Sequence, residues 1–258
     1  MTVASEFPTD EHALAFDDAE VARSYRHRPS YPAETFDALD RLIVGPRVVL
    51  DAGTGTGGIA RYLAARVTRV DALDPAAAML AEARRLEHGD DPRIRWQLGG
   101  AEVAPLDGPY GLITTGQSLH WMDWATVLPR FARALELGAR LAIVDDPETP
   151  EPWAAELRPI IRRYSLMRSP HQFTLIPELE RLGLFIREGD HLTAEVPFTQ
   201  TVDDYLASFH ARSSLARHRI GAAAADAFDR EVRALLGDRT TIRRTVSGRI
   251  VYGRPVAT

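Results

Sequence analysis

Val48-Val49-Leu50-Asp51-Ala52-Gly53-Thr54-Gly55-Thr56-Gly57-Gly58-Ile59-Ala60 is the stretch whose reading decides the fold. Its apolar opening reads as a short strand buried on both faces. Glycines then crowd a turn, and alanine, leucine and arginine carry the chain into a helix over 58–65. Gly53 and Gly55 permit a tight turn and close approach of a ligand to the backbone. The helix start beyond them offers unpaired N–H groups. Strand, glycine turn and helix in this order open a Rossmann-type nucleotide site.

Gly53-x-Gly55-x-x-Gly58 matches the dinucleotide fingerprint, which by itself is a weak signal. Asp51, two residues before the first glycine, argues against a pyrophosphate, which it would repel. It suits a ligand that presents a cation. Val70-Asp71-Ala72-Leu73-Asp74-Pro75 reads as the second strand, and Asp74 stands 23 positions after Asp51 (74 − 51). A carboxylate at about this spacing accepts both hydroxyls of a ribose. Pro75 and Met79 are placed to flank the nucleobase.

The alternation continues outward from these two strands. Strands are expected at 47–51, 69–74, 93–98, 110–115 and 141–145, with helices at 58–65, 76–87 and 125–135 between them. This predicts a doubly wound α/β fold, a parallel sheet with helices on both faces and ligands beyond the strand C-terminal ends. Upstream, helices are expected at 16–25 and 32–43 around the proline-punctuated loop Arg26-His27-Arg28-Pro29-Ser30-Tyr31-Pro32. Downstream, helices are expected at 153–164, 176–182, 202–211 and 215–236. The stretch 185–196 reads as strand with a turn at Gly189-Asp190, and 242–253 as final strand material. We divide the chain into a tail and lid helices over 1–45, a nucleoside-binding core over 46–146, and cap helices with the last strands over 147–258, all one domain.

Composition narrows the chemistry. The 258 residues are 45% hydrophobic and 26% charged, with net charge −5, ordinary for a soluble globular chain. No apolar run approaches a membrane span and no signal pattern opens the chain, so a cytoplasmic protein is expected. A nucleic-acid binder would more usually be basic. Cysteine is absent, which removes disulfides, thiolate metal sites and cysteine nucleophiles. All 31 basic side chains are arginine, which removes Schiff-base lysines and the phosphate-loop lysine. No metal site is expected.

Asp51-x-Gly53-x-Gly55-x-Gly57 followed by Asp74-Pro75-Ala76-Ala77-Ala78-Met79-Leu80 resembles the class I methyltransferases dependent on S-adenosylmethionine (SAM). Tyr25-x-x-Arg28-Pro29-x-Tyr31-Pro32 resembles the segment that lies over the SAM pocket in the methyltransferase type 11 family. Gly99-Gly100-Ala101-Glu102 resembles that family's adenine-edge segment, with Gly100 where an acid is usual. Gln117-x-x-His120-Trp121 resembles the signature of its trans-aconitate methyltransferase-like subgroup, although Gly111 replaces the usual acid in the fourth strand. The resemblance implies a Rossmann-like sheet of seven strands with a helical cap, and SAM as cofactor. It makes Tyr25, Arg28, Asp51, Gly53, Thr54, Gly55, Asp74, Pro75, Met79, Gly100, Ala101, Glu102 and Gln117 candidates for holding the cofactor.

Arg28 matches a planar carboxylate, and the rings of Tyr25 and Tyr31 suit a sulfonium. His120, placed by motif at the end of a central strand, is the candidate general base. Tyr31, Trp121, Trp124 and His210 are candidates for an acceptor pocket, with Trp153, His171, Phe173 and Ser213-Ser214 in segments expected to cover the strand ends. The expected partner is a small, largely apolar acceptor, with no nucleic acid and no membrane, and the chain is expected as a monomer or homodimer. Two other functions fit the same pattern: a SAM-binding regulator without activity, and a nicotinamide-dependent oxidoreductase. Gly116-x-Ser118-x-His120 also follows a strand as a hydrolase elbow does, but His120 stands where the elbow needs a small residue.

Overall fold

A computed structural model of the chain describes residues 14–147, 149–167 and 175–257. Its main sheet has seven strands in the order β3-β2-β1-β4-β5-β9-β6. These are β1 Val48–Ala52, β2 Arg69–Asp74, β3 Ile94–Leu98, β4 Tyr110–Gly116, β5 Leu135–Asp145, β6 Phe185–Leu192 and β9 Arg249–Pro255. The first five pair in parallel, and β9 runs antiparallel between β5 and β6. The strand order reverses between β1 and β4, which opens a crevice at their C-terminal ends.

Neighbouring residues on each central strand feed opposite cores, as a pleat requires. Leu50, Ile113, Leu141 and Ile143 pack with Trp124, Leu128 and Phe131 on one face. Val49, Leu112, Ala142 and Val144 pack with Phe36, Leu39, Ile59 and Leu63 on the other. The strands are therefore apolar on both sides, which is why 48–50 and 141–144 read as unbroken hydrophobic runs.

Gly111 shows why the fourth strand carries no acid at that place. A Cβ there would stand 2.1 Å from the Val44 carbonyl oxygen, which belongs to backbone and cannot swing away. Gly111→Ala is expected to lower stability by about 1–3 kcal/mol, as overpacking does, and a thermal melt checks it.

The cap is built from α-helices Ala154–Tyr164, Val202–His210, Arg217–Ile220 and Ala222–Leu236, while the helix Leu175–Arg181 packs through Leu179 on the main sheet's core. Leu157, Tyr205, Phe209, Phe228, Val232 and Ile242 form the cap's own core. The lid is a 3₁₀ turn Leu14–Asp17, a helix Ala19–Ser24 and a second 3₁₀ turn Tyr25–His27. His27 pairs with Asp204 at 2.9 Å, His218 with Asp18 at 3.7 Å and Arg217 with Glu20 at 3.6 Å. Those pairs tie the lid to the cap.

Several boundaries differ from the sequence expectation for physical reasons. The expected turn at Gly189-Asp190 is a bulge inside β6, and the strand continues to Leu192. Tyr252 lies where a Gly189 Cβ would point, 2.2 Å from its hydroxyl oxygen, so the glycine admits the phenol rather than a reversal. The helix expected over 215–236 is two helices, broken at Gly221 with φ 84°. The final strand material splits at Ser247-Gly248. β8 (Thr241–Val246) pairs with β7 (Val196–Thr201) in a separate two-stranded sheet, and only β9 enters the main sheet. The fifth strand begins earlier than expected because the helix Trp124–Ala134 runs straight into β5 without a loop.

Candidate active site

A cavity of about 400 Å³ sits beyond the C-terminal ends of β1, β2 and β4, under the lid. Its floor is the glycine turn. Gly53 takes a left-handed φ of 67°, and a Cβ there would meet Ser118 Cβ at 2.4 Å. Ser118 is fixed against that turn because its hydroxyl donates to the Ala52 carbonyl at 2.7 Å. That bond occupies the hydroxyl of the hydrolase alternative in a backbone contact.

Asp51 does not line the cavity. Its Oδ2 accepts from the Thr54 hydroxyl at 2.5 Å and the Ala60 N–H at 3.2 Å, and its Oδ1 from the Thr114 hydroxyl at 2.8 Å. Burial pushes its carboxyl up and these three bonds hold it down. Asp51 therefore pins the glycine loop from beneath. Contrary to the sequence expectation, Asp51 faces inward rather than toward a ligand cation, and it gives no ground against a pyrophosphate.

Asp74 does line the cavity. Its Oδ2 accepts from Gly55 N–H at 2.7 Å and its Oδ1 from Ala76 N–H at 2.9 Å. A carboxylate oxygen accepts two hydrogen bonds, so each oxygen keeps capacity for one more donor. Burial pushes its pKa up to about 6, against the two backbone bonds and with help from the charges of Asp51 and Asp17. Pro75 and Met79 lie in the same wall, as do Thr54, Gly55, Gly100, Ala101 and Glu102. Glu102 also accepts from the Asp123 N–H at 3.1 Å, which joins that edge to the helix after β4.

The opposite wall comes from the lid and from the end of β4. Tyr25, Arg28 and Tyr31 all face the cavity. The Arg28 guanidinium lies 5.2 Å from the Tyr25 ring centre and donates from Nη2 to Gln117 Oε1 at 2.6 Å. Gln117 holds that position with a φ of 52°, a left-handed conformation that costs a residue with a Cβ roughly 1–2 kcal/mol. Strain of this kind is kept where surrounding structure requires it, commonly at binding sites. Burial pushes the hydroxyls of Tyr25 and Tyr31 up, so both stay protonated. Trp121 lines the cavity and meets Phe16 edge-on at 5.3 Å.

Three sequence candidates lie elsewhere. His120 is not in the cavity wall; its ring stacks obliquely on Trp121 at 5.0 Å. Burial first, and the nearby Arg28 charge second, push its pKa down to about 4. Trp124 is buried in the sheet core, with Nε1 donating to the Leu119 carbonyl at 2.8 Å. His210 is buried in the cap, with Nδ1 2.8 Å from the Leu215 carbonyl and Nε2 2.9 Å from Asp229 Oδ1. The substrate-pocket assignments of Trp124 and His210 are corrected: both hold the scaffold. His171 and Phe173 lie outside the described residues, and Ser213-Ser214 line no described cavity.

Sequence reasoning passed over Phe16, Met122 and Asp146 as cavity residues. Asp146 carried a usable signal, being the acid just past the end of a central strand.

Residues 49–138 match the family model of a methyltransferase domain. Over 153 residues the chain is 38% identical to an uncharacterised methyltransferase of Mycobacterium tuberculosis, covering 58% of this chain and 60% of that protein. Over 119 residues it is 34% identical to the malonyl-[acyl-carrier protein] O-methyltransferase of Enterobacter lignolyticus, covering 45% of this chain and 46% of that one. The chain thus spans at most about 60% of the length of these curated relatives. Among solved structures, a candidate type II methyltransferase from Anaeromyxobacter dehalogenans superposes with a TM-score of 0.63 at 24% identity, covering 88% of this chain and 97% of that one. That likeness is one of fold. Together these findings place a match to a methyltransferase domain over 49–138 on a Rossmann-like sheet. Of the two curated relatives, one is an O-methyltransferase and the other is an uncharacterised methyltransferase.

Proposed function

We propose that the chain transfers a methyl group from SAM to a small-molecule acceptor. The observation that carries this reading is Asp74, a desolvated carboxylate in the cavity wall with one acceptor position left on each oxygen. Two adjacent ribose hydroxyls fill those positions. In the same reading Pro75 and Met79 flank the adenine, and Gly100, Ala101 and Glu102 face its edge. Gly53, Thr54 and Gly55 face the methionine half, and Arg28, steadied by Gln117 and Tyr25, takes the methionine carboxylate. The bound cofactor supplies an electrophilic methyl on a sulfonium. The chain's own residues hold the acceptor in line, where orientation alone accounts for much of the acceleration. Trp121, Phe16 and Tyr31 exclude water.

A proton must leave the acceptor only if its reacting atom carries one. His120 stands behind Trp121 with its pKa pushed down to about 4, which makes it a weak base at neutral pH, whereas Asp146 lines the cavity. His120→Ala is therefore expected to keep turnover within about fivefold of the parent, well short of the roughly 10²–10⁴-fold of a lost general base. Asp146→Asn is expected to lose more. The readout is S-adenosylhomocysteine release with whichever metabolite the panel below identifies.

The Gln117-x-x-His120-Trp121 segment supports placing the chain in the type 11 family's trans-aconitate-like subgroup. We also read 1–45, 46–146 and 147–258 as lid, core and cap of one domain, in a cytoplasmic monomer or homodimer that binds no nucleic acid. Among the described residues no helix is long and apolar enough to cross a membrane. Two measurements test the function. Calorimetry must show S-adenosylhomocysteine binding, and binding of NAD in its place would overturn the reading. A metabolite panel must then show acceptor-dependent SAM consumption; cofactor binding with no turnover on any acceptor would favour a regulator.

A further inference from the structure

A second cavity, of about 210 Å³, adjoins the first, and Arg28, Pro29 and Asp146 line both. Beyond that shared wall it is bounded by the cap and by β8. Its side chains divide in two. Leu157, Ile161, Tyr205 and Phe209 give an apolar surface. Arg158, Arg212 and Arg244, with Arg28 at the shared wall, face Asp146 and Glu151. Four cations against two anions is an excess of two positive charges, in a chain whose net charge is −5. An acidic protein that gathers arginines around one cavity attracts an anion to it.

Arg244 is the best-positioned of these cations. Its guanidinium lies 5.4 Å from the Phe198 ring centre and 5.8 Å from that of Tyr205, which fixes its plane. Its side chain is 16% exposed, and its Nε is buried without a hydrogen-bond partner. Glu151, at 3.6 Å, balances its charge without reaching hydrogen-bond distance. Arg244 lines the cavity with its plane held by two rings, an arrangement suited to a planar, two-oxygen anion.

We infer that this second cavity holds the acceptor and anchors it by a carboxylate on Arg244, at the end away from the cofactor. The inference rests on the methyltransferase reading only in calling the ligand an acceptor. Arg158, Arg212 and Arg244 line this cavity alone, so the carboxylate is anchored outside the cofactor cavity and the methylated atom lies toward the shared wall. The apolar surface between takes the body of the molecule. With Arg28 committed to the methionine carboxylate, three cations face Asp146 and Glu151, an excess of one positive charge that matches a monoanionic carboxylate rather than a phosphate monoester.

Calorimetry near neutral pH with octanoate, octanol and octyl phosphate tests this, on the protein alone and on the protein saturated with S-adenosylhomocysteine. Octanoate is expected to bind about tenfold or more tighter than octanol, the size of one charge-assisted contact, and tighter than octyl phosphate. Arg244→Gln is expected to abolish the preference for octanoate over octanol. Arg158→Gln, at an exposed position, is expected to reduce it without unfolding the chain. Thermal melts and S-adenosylhomocysteine affinity establish that each variant is folded. Equal binding of octanoate and octanol to the parent protein overturns the inference. So does an octanoate preference that survives both substitutions, and tighter binding of octyl phosphate overturns the choice of carboxylate. Because the titration of the unloaded protein needs no cofactor, a failure to bind S-adenosylhomocysteine counts against the methyltransferase reading alone.

Discussion

Asp74→Ala is expected to weaken S-adenosylhomocysteine binding by about ten- to a hundredfold or more. Hydrogen bonds to a charged group are worth roughly 1.5–3 kcal/mol each, and two hydroxyls meet this carboxylate in the proposed complex. The same residue sets a pH dependence. Burial raises its pKa to about 6, so the free protein takes up a proton there as the pH falls through that value. The ligand's hydroxyls need the ionised form. Affinity is therefore expected to be level above about pH 7 and to fall by up to about tenfold per pH unit below 6, as linkage requires. Asp74→Asn removes that limb. Calorimetry across pH 5 to 8 reads both effects, and an affinity that is flat over the whole range would exclude Asp74 as the ribose ligand.

The other large effect concerns stability and lies three residues earlier on the same strand. Asp71 is fully buried on β2. Its Oδ2 accepts from the Tyr110 hydroxyl at 2.9 Å and from Arg69 Nη2 at 3.1 Å. Its Oδ1 faces Arg69 Nε at 3.0 Å and Arg95 Nε at 3.4 Å. Asp71→Ala would remove the acceptor of a fully buried phenol and the counter-charge of Arg69, while Arg95 keeps its pair with Asp107 at 2.7 Å. Breaking a buried pair from one side typically costs about 3–5 kcal/mol. The lower part of that range is expected here, because both arginines are partly exposed and water relieves them. Urea unfolding measures it, and a loss under about 1 kcal/mol would show the cluster to be dispensable.

The sheet was legible because its signals are local. Val48 to Leu50 and Leu141 to Val144 are apolar runs that only a strand buried on both faces explains, and glycine or Asp-Pro punctuation marks where each stops. The cap was less legible. Gly189 breaks a pattern in the same way whether it turns the chain or makes room for Tyr252, and that ring arrives from a strand far along the sequence. The same holds within the site. Asp74, Arg28 and Tyr31 meet at one cavity as the motifs suggested. Asp51 shares a motif with them and points inward, because Thr54 and Thr114 take its oxygens. His120 was singled out by its place after a strand, but the 3₁₀ turn Leu119–Trp121 decides which of its side chains faces the cavity, and it presents Trp121. Turn geometry of that kind has no residue signature.

The place of β9 has a consequence for how the protein is made. β5 leaves the ribosome roughly a hundred residues ahead of the strand that pairs with its outer edge. Throughout that interval the edge is an open, largely apolar template, the kind on which nascent chains associate. Mutations in β9 are therefore expected to reduce soluble yield at elevated expression temperature more than their effect on the finished fold would suggest. Slower synthesis, or a chaperone that covers strand edges, should restore it.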